Sequence, residues 1–167
     1  MKTIGSHPGA ILFRLSILVT VIAIIIIVFL SYAAKVRENY ERASITQARA
    51  LINSSLAVVF ATYATKGRLD DLNELEGGNP FDFLEAYHML PTAYKGEIEF
   101  SLGDDLEPGW YYLKSRRQVA YKPRYIDGNT YFTVVLSYDD LNDSGRFESK
   151  SDKFRSLQFV EVSTPRS

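Results

Sequence analysis

Apolar residues fill one stretch of this chain without a break and then change rhythm. From Leu15 to Ala34 the sequence reads LSILVTVIAIIIIVFLSYAA, with no charged position. Helical residues rise 1.5 Å each, so a stretch of this length reaches about 30 Å, the thickness of a bilayer's hydrocarbon core. The stretch predicts a transmembrane helix over 15–34. Its short hydroxyls at Ser16, Thr20 and Ser31 can bond to the helix's own carbonyls. Arg14 and Lys35 bound the stretch and are placed to snorkel to the headgroups.

Beyond Lys35 the apolar positions become periodic. Val36, Tyr40, Ala43, Ala48, Leu51, Ile52, Leu56, Val59, Phe60 and Tyr63 recur mostly at spacings of three and four. That spacing predicts an amphipathic stalk helix over 35–66. No Pro or Gly interrupts the chain between Ala10 and Lys66, and Gly67 is placed to stop the helix. Residues 67–96 carry turn signals and short helical pieces, with a breaker cluster at Gly77, Gly78, Asn79 and Pro80. Phe81, Phe83, Leu84 and Tyr87 predict one apolar helical face there.

Strand patterns follow: EIEFSL over 97–102, WYYL over 110–113, QVAYK over 118–122, TYFTVVLSY over 130–138 and SLQFVEV over 156–162. Pro108-Gly109, Asp127-Gly128-Asn129 and Ser144-Gly145 mark turns between them. The whole predicts an α+β fold: a transmembrane helix continuing into a long amphipathic helix packed on a small antiparallel sheet, with a polar outer face. The segments are a short leader (1–14), the span (15–34), the stalk (35–66) and a folded domain (67–167).

A cleaved secretory signal is the competing reading of the apolar stretch. Its hydrophobic region would run to only about 7–15 residues. The present run is longer, although Ser31 and Ala33 leave a cleavage-like pattern, and a retained anchor is the expectation. The charge flanks are nearly balanced: Lys2 and Arg14 on one side face Lys35, Arg37 and Arg42, offset by Glu38 and Glu41, on the other. The expected orientation puts the N-terminus in the cytoplasm and the domain outside.

Composition narrows the function classes. Lys and Arg number 19 against 20 Asp and Glu, a net charge of -1 that offers no steering field for nucleic acid. Cysteine is absent, so packing and hydrogen bonds alone must hold the domain, and 11 Tyr and 10 Phe supply the packing surface. Neither His7 nor His88 sits in a metal or nucleophile motif, and there is no P-loop and no G-x-S-x-G. A non-enzymatic role is the expectation, with no cofactor. One candidate metal loop stands out. With Asp140 as position one of a calcium loop, Asn142, Ser144 and Glu148 fall at three, five and nine, and Gly145 takes the tight turn; the closing bidentate Glu is replaced by Ser151. An acidic hairpin turn is the alternative. The glycosylation-type patterns at Asn53-Ser54-Ser55 and Asn142-Asp143-Ser144 are short and common.

The order Asn79-Pro80, Phe83-Leu84, Pro91, Tyr94, Gly96-Glu97, Pro108, Trp110-Tyr111 and Tyr121, behind this helix layout, resembles type IV pilin-like proteins. Within that group it resembles the MshF family of biogenesis proteins of the mannose-sensitive haemagglutinin (MSHA) pilus. The motif covers about a quarter of the chain, and the helices extend the likeness. The resemblance implies a pilin-like fold in the bacterial inner membrane with its domain in the periplasm. It implies partners among pilus assembly or secretion-platform proteins besides the lipid bilayer, and Tyr94, Glu97, Trp110 and Tyr111 as candidate protein-contact residues. True prepilins resemble G-F-T-L-x-E at their processing site; here Gly9 is followed by AILF and then Arg14, of opposite charge to that Glu. This departure favours an accessory protein over a subunit of the fibre core. A minor pilin in the fibre and a membrane-tethered periplasmic sensor or ligand-binding module are the alternatives.

Overall fold

The computed structural model describes residues 8–163. Lys2 and His7 lie outside them, as does the first half of the leader. One helix, α1, runs Pro8–Thr65. The chain divides between Tyr40 and Glu41 into two compact units.

In the first unit the large apolar side chains from Leu12 to Leu30 are all exposed, and the helix is long and apolar enough to cross a membrane once. Arg14 and Lys35 are exposed at its two ends. Thr20 donates to the Ser16 carbonyl at 2.9 Å and Ser31 to that of Ile27 at 2.9 Å, so these hydroxyls are satisfied within the helix. An uninterrupted apolar surface of this extent is what a single-pass anchor presents to lipid.

The second unit begins with the rest of α1. It continues with a 3₁₀ helix at Leu69–Leu75 and helix α2 at Pro80–Ala86. Strands β1 (Tyr94–Ile98), β2 (Gly109–Leu113), β3 (Gln118–Lys122), β4 (Thr130–Asp139) and β5 (Lys153–Val162) follow. Helix α1 ends as its sequence predicts. Gly67 takes φ 67°, and the Arg68 amide reaches back to the Tyr63 carbonyl at 2.9 Å.

The buried stripe of α1 differs from the expected one at its start. Glu41, Ala48, Ile52, Ser55, Leu56 and Val59 are buried, whereas Val36, Tyr40 and Ala43 are exposed. The helical period decides this. Positions 41, 45, 48, 52, 56 and 59 share one face, and the three earlier apolar residues fall off it.

The five strands form one sheet in the order β1-β2-β3-β4-β5. It is mixed, not purely antiparallel: β1 runs parallel to β2. A parallel pair needs a crossover, and here the loop between Ile98 and Gly109 provides it without a helix. The first strand is also displaced from its predicted place at 97–102. It spans Tyr94–Ile98 because its partner ends at Leu113, opposite Ile98, and Phe100 stands exposed in the loop.

The inner face of the sheet builds the main core, in which Ile52 and Leu56 of α1 and Phe81 and Leu84 of α2 join Trp110, Val119, Phe132, Val134 and Phe159. A second cluster gathers Val59, Leu72, Leu75, Leu136 and Phe147. The outer face is not uniformly polar. Leu113, Ala120 and Tyr131 are buried there beneath Leu102 of the crossover loop, which covers what would otherwise be wetted apolar surface.

Candidate functional site

Tyr94 and Glu97, two of the candidate contact residues, meet at the Asn79 side chain. Pro80 opens α2 at a position where its missing amide costs nothing, and the Asn79 side chain caps the helix by accepting from the Phe81 amide at 3.1 Å. The other end of the same amide group faces three acceptors: Asp82 Oδ1 at 2.8 Å, Glu97 Oε1 at 3.0 Å and the Tyr94 hydroxyl at 3.2 Å. Two N–H groups serve these three oxygens, so the bonds are shared. The Tyr94 ring stacks on Phe81 at 4.2 Å. Glu97 also pairs with Lys114 at 2.8 Å, and this bond is the main cause holding its carboxyl below the usual carboxylate range. The pair is solvent-exposed and contributes little to stability. Burial, then the charges of Glu97 and Glu85, pushes the Asp82 carboxyl up.

Two glycines here take backbone angles that side chains disfavour, and one of them lets β1 and β2 approach. Gly96 adopts φ 111° at the register irregularity of β1. Gly109 adopts φ 152°, and a Cβ there would stand 2.5 Å from the Ala93 carbonyl oxygen. Trp110 follows directly, 2 % exposed, with ring contacts to Phe81, Tyr121 and Phe132. Tyr111, 4 % exposed, points to the other face and donates its hydroxyl to the Glu107 carbonyl. Burial therefore takes Trp110 and Tyr111 out of the expected contact surface. The exposed Glu97 and the half-buried Tyr94 remain at its rim.

No family model, curated protein or solved structure matches this chain.

The Asp140 loop turns its oxygens inward. Asp140 accepts from the Ser144 amide at 3.1 Å and the Gly145 amide at 2.8 Å. These backbone bonds, that of Gly145 foremost, lower its carboxyl pKa. Asn142 directs its amide nitrogen to Glu148 at 3.0 Å, and Ser144 donates to the Arg146 carbonyl. Among the described residues no group of three His, Cys, Asp or Glu side chains is arranged to hold a metal ion. His88 is an exposed residue at φ 58° that ends α2, where the Met89 amide reaches the Leu84 carbonyl.

Sequence reasoning passed over two devices. Glu41, 6 % exposed, accepts from the Tyr121 hydroxyl at 3.0 Å and from the Arg124 and Tyr125 amides at 2.7 Å each. The signal was there: Glu41 shares the helical stripe of Ile45 and Ala48. The second device is a pair of asparagines. Asn53 accepts from the Phe159 amide and donates to the Phe159 carbonyl, and Asn73 does the same to Phe147. The Asn53 side chain stands in for a strand beside β5, and that of Asn73 ties down the loop between β4 and β5. No local pattern distinguishes these asparagines from ordinary polar helix positions.

Proposed function

We propose that this protein is a non-enzymatic inner-membrane component of type IV pilus biogenesis, of the MSHA kind, working through protein contacts. The carrying observation is the use of α1. Its first part presents bare apolar surface, and its later part is a core layer of a five-stranded domain. The motif residues support the reading by their order, and Asn79, Tyr94, Glu97, Trp110 and Tyr121 knit α2, β1, β2 and β3 together. Conversely, the contact surface for partners has to be sought at the exposed rim around Glu97 and Lys114.

In this reading the N-terminus is cytoplasmic and the domain periplasmic, held beside the assembly platform. Arg14, in place of a prepilin's Glu, would repel the free amine of a neighbouring subunit, which favours an accessory part outside the fibre core. The test is a chromosomal deletion. Surface fibres are expected to disappear while the wild-type protein fractionates with the membrane; normal fibre number and length in the deletion strain would overturn the proposal.

A further inference from the structure

The loop between β3 and β4, residues 123–129, is held by its main chain and shows side chains to the outside. Glu41 accepts from the Arg124 and Tyr125 amides at 2.7 Å each, and from the Tyr121 hydroxyl near the end of β3. These bonds fix the backbone without drawing either loop side chain into the core. Arg124 is exposed, and Tyr125 is 47 % exposed. The Arg124 guanidinium stands 5.8 Å from the centre of the Tyr125 ring, and among the described residues no carboxylate pairs with it. An arginine set against an aromatic ring, with no acid of its own chain, can take a phosphate in its fork.

Position in the chain limits what this loop can meet. Ala34 ends the uncharged stretch, and Glu41 follows on the same unbroken helix, about 10 Å further along its axis. The headgroup layer on each side of a bilayer is about 5–8 Å deep. A loop bonded to Glu41 is therefore tethered within a long side chain's reach of lipid headgroups. Tyrosine suits that layer because its ring is apolar and its tip is polar. Arginine suits it because the stem tolerates less polar surroundings while the guanidinium binds lipid phosphate.

The acids near this loop leave the contact open. Asp104 and Asp105 lie close to the end of β3, but they belong to the crossover loop, whose Leu102 covers the face of the sheet away from α1. Asp127 is the one acid within the loop itself.

We propose that the 123–129 loop docks in the headgroup layer of the membrane that holds the anchor, with Arg124 on lipid phosphates and Tyr125 at the interface. The domain then has a second membrane contact besides the span, and anionic lipid strengthens it. This inference rests on the single-pass anchor and is independent of the pilus reading.

The test is lipid quenching on the full chain in nanodiscs containing phosphatidylglycerol. The protein has no cysteine, so one introduced cysteine carries one fluorophore. Three sites are labelled in turn: Asn129→Cys in the loop, Ile25→Cys in the span, and Leu141→Cys, exposed beyond the far end of β4, roughly 30 Å away. A lipid with a nitroxide on its headgroup is expected to quench the label at position 129 and not that at 141. A lipid with a nitroxide on its acyl chain is expected to quench the label at 25. Quenched and unquenched lifetimes give the ratio of docked to free loop. Arg124→Gln keeps the amide that Glu41 holds and should lower this ratio about fivefold; discs of phosphatidylcholine alone should lower it too. Asp127→Asn should raise it. Unchanged near-ultraviolet dichroism verifies that each variant folds. Equal quenching at 129 and 141 overturns the proposal. So does a ratio that Arg124→Gln leaves unmoved or that Asp127→Asn lowers. Quenching at 25 with none at 129 rejects the loop contact and leaves the anchor standing, whereas a silent label at 25 rejects both.

Discussion

The carboxylate of Glu41 and the hydroxyl of Tyr121 meet at 3.0 Å although 80 positions separate them in sequence, with Tyr121 donating. The same carboxylate receives the Arg124 and Tyr125 amides, so one helix side chain fixes the end of β3 and the loop that follows. A buried carboxylate is tolerable here because three donors replace its water.

Removing it should therefore be costly. Glu41→Ala strands two amides and a hydroxyl, and is expected to destabilise the domain by about 2–3 kcal/mol. Denaturant unfolding in micelles, followed by the fluorescence of the single tryptophan, Trp110, measures this directly, since Trp110 packs on Tyr121 at 4.7 Å. Unchanged stability would show that the three donors find water instead.

Tyr121 should impose an alkaline limit. Burial first, and then its hydrogen bond to and the charge of Glu41, raise its pKa well above the ordinary value of 10.0. The unfolded chain therefore releases this proton before the folded one does. The group's stabilising contribution is complete below about pH 10 and is lost as pH rises further, at up to about 1.4 kcal/mol per pH unit. Stability measured from pH 9 to about 11.5 should fall more steeply in the wild type than in Tyr121→Phe. Parallel curves would refute the assignment.

Asn53 and Asn73 predict a paired result in hydrogen exchange. Each side chain holds both backbone groups of one phenylalanine, at 2.8 and 3.3 Å for Phe159 and at 3.0 and 2.7 Å for Phe147. Asn73→Ala should speed exchange in the loop over 140–152, and Asn53→Ala along the outer edge of β5. Each should cost about 1–2 kcal/mol. Exchange that rises uniformly across the domain in both variants would mean that the contacts are not local clamps.

Gly109→Ala should be among the most damaging single-methyl changes in the protein. The new Cβ would meet the Ala93 oxygen at 2.5 Å and the Lys95 Cγ at 2.8 Å, at a backbone angle that disfavours side chains. A loss of about 2–3 kcal/mol is expected. Gly96→Ala is the control: it also has a positive φ, of 111°, but nothing within 4 Å of the added carbon, and should cost less. Equal melting temperatures for the two variants would contradict the close approach of β1 and β2.

Much of the architecture was legible beforehand because it rests on local periodicity. The span, the unbroken helix, the stop at Gly67 and the strands at 118–122 and 130–138 follow from patterns that one segment carries by itself. The misplaced first strand marks the limit. EIEFSL alternates as a strand should, but a strand needs a partner, and β2 ends opposite Ile98. Two of the four candidate contact residues are buried. Trp110 and Tyr111 look equally apt for a surface or a core, and burial alone separates those roles.

An uncharged stretch of membrane-spanning length ahead of an α+β domain can be read from consecutive residues, because hydrophobic length and period are local properties. That β1 runs parallel to β2 and that Glu41 is an internal acceptor emerged only with the folded chain. Those outcomes depend on which distant groups become neighbours, and a hydrogen bond across 80 residues leaves no trace in the spacing of either partner.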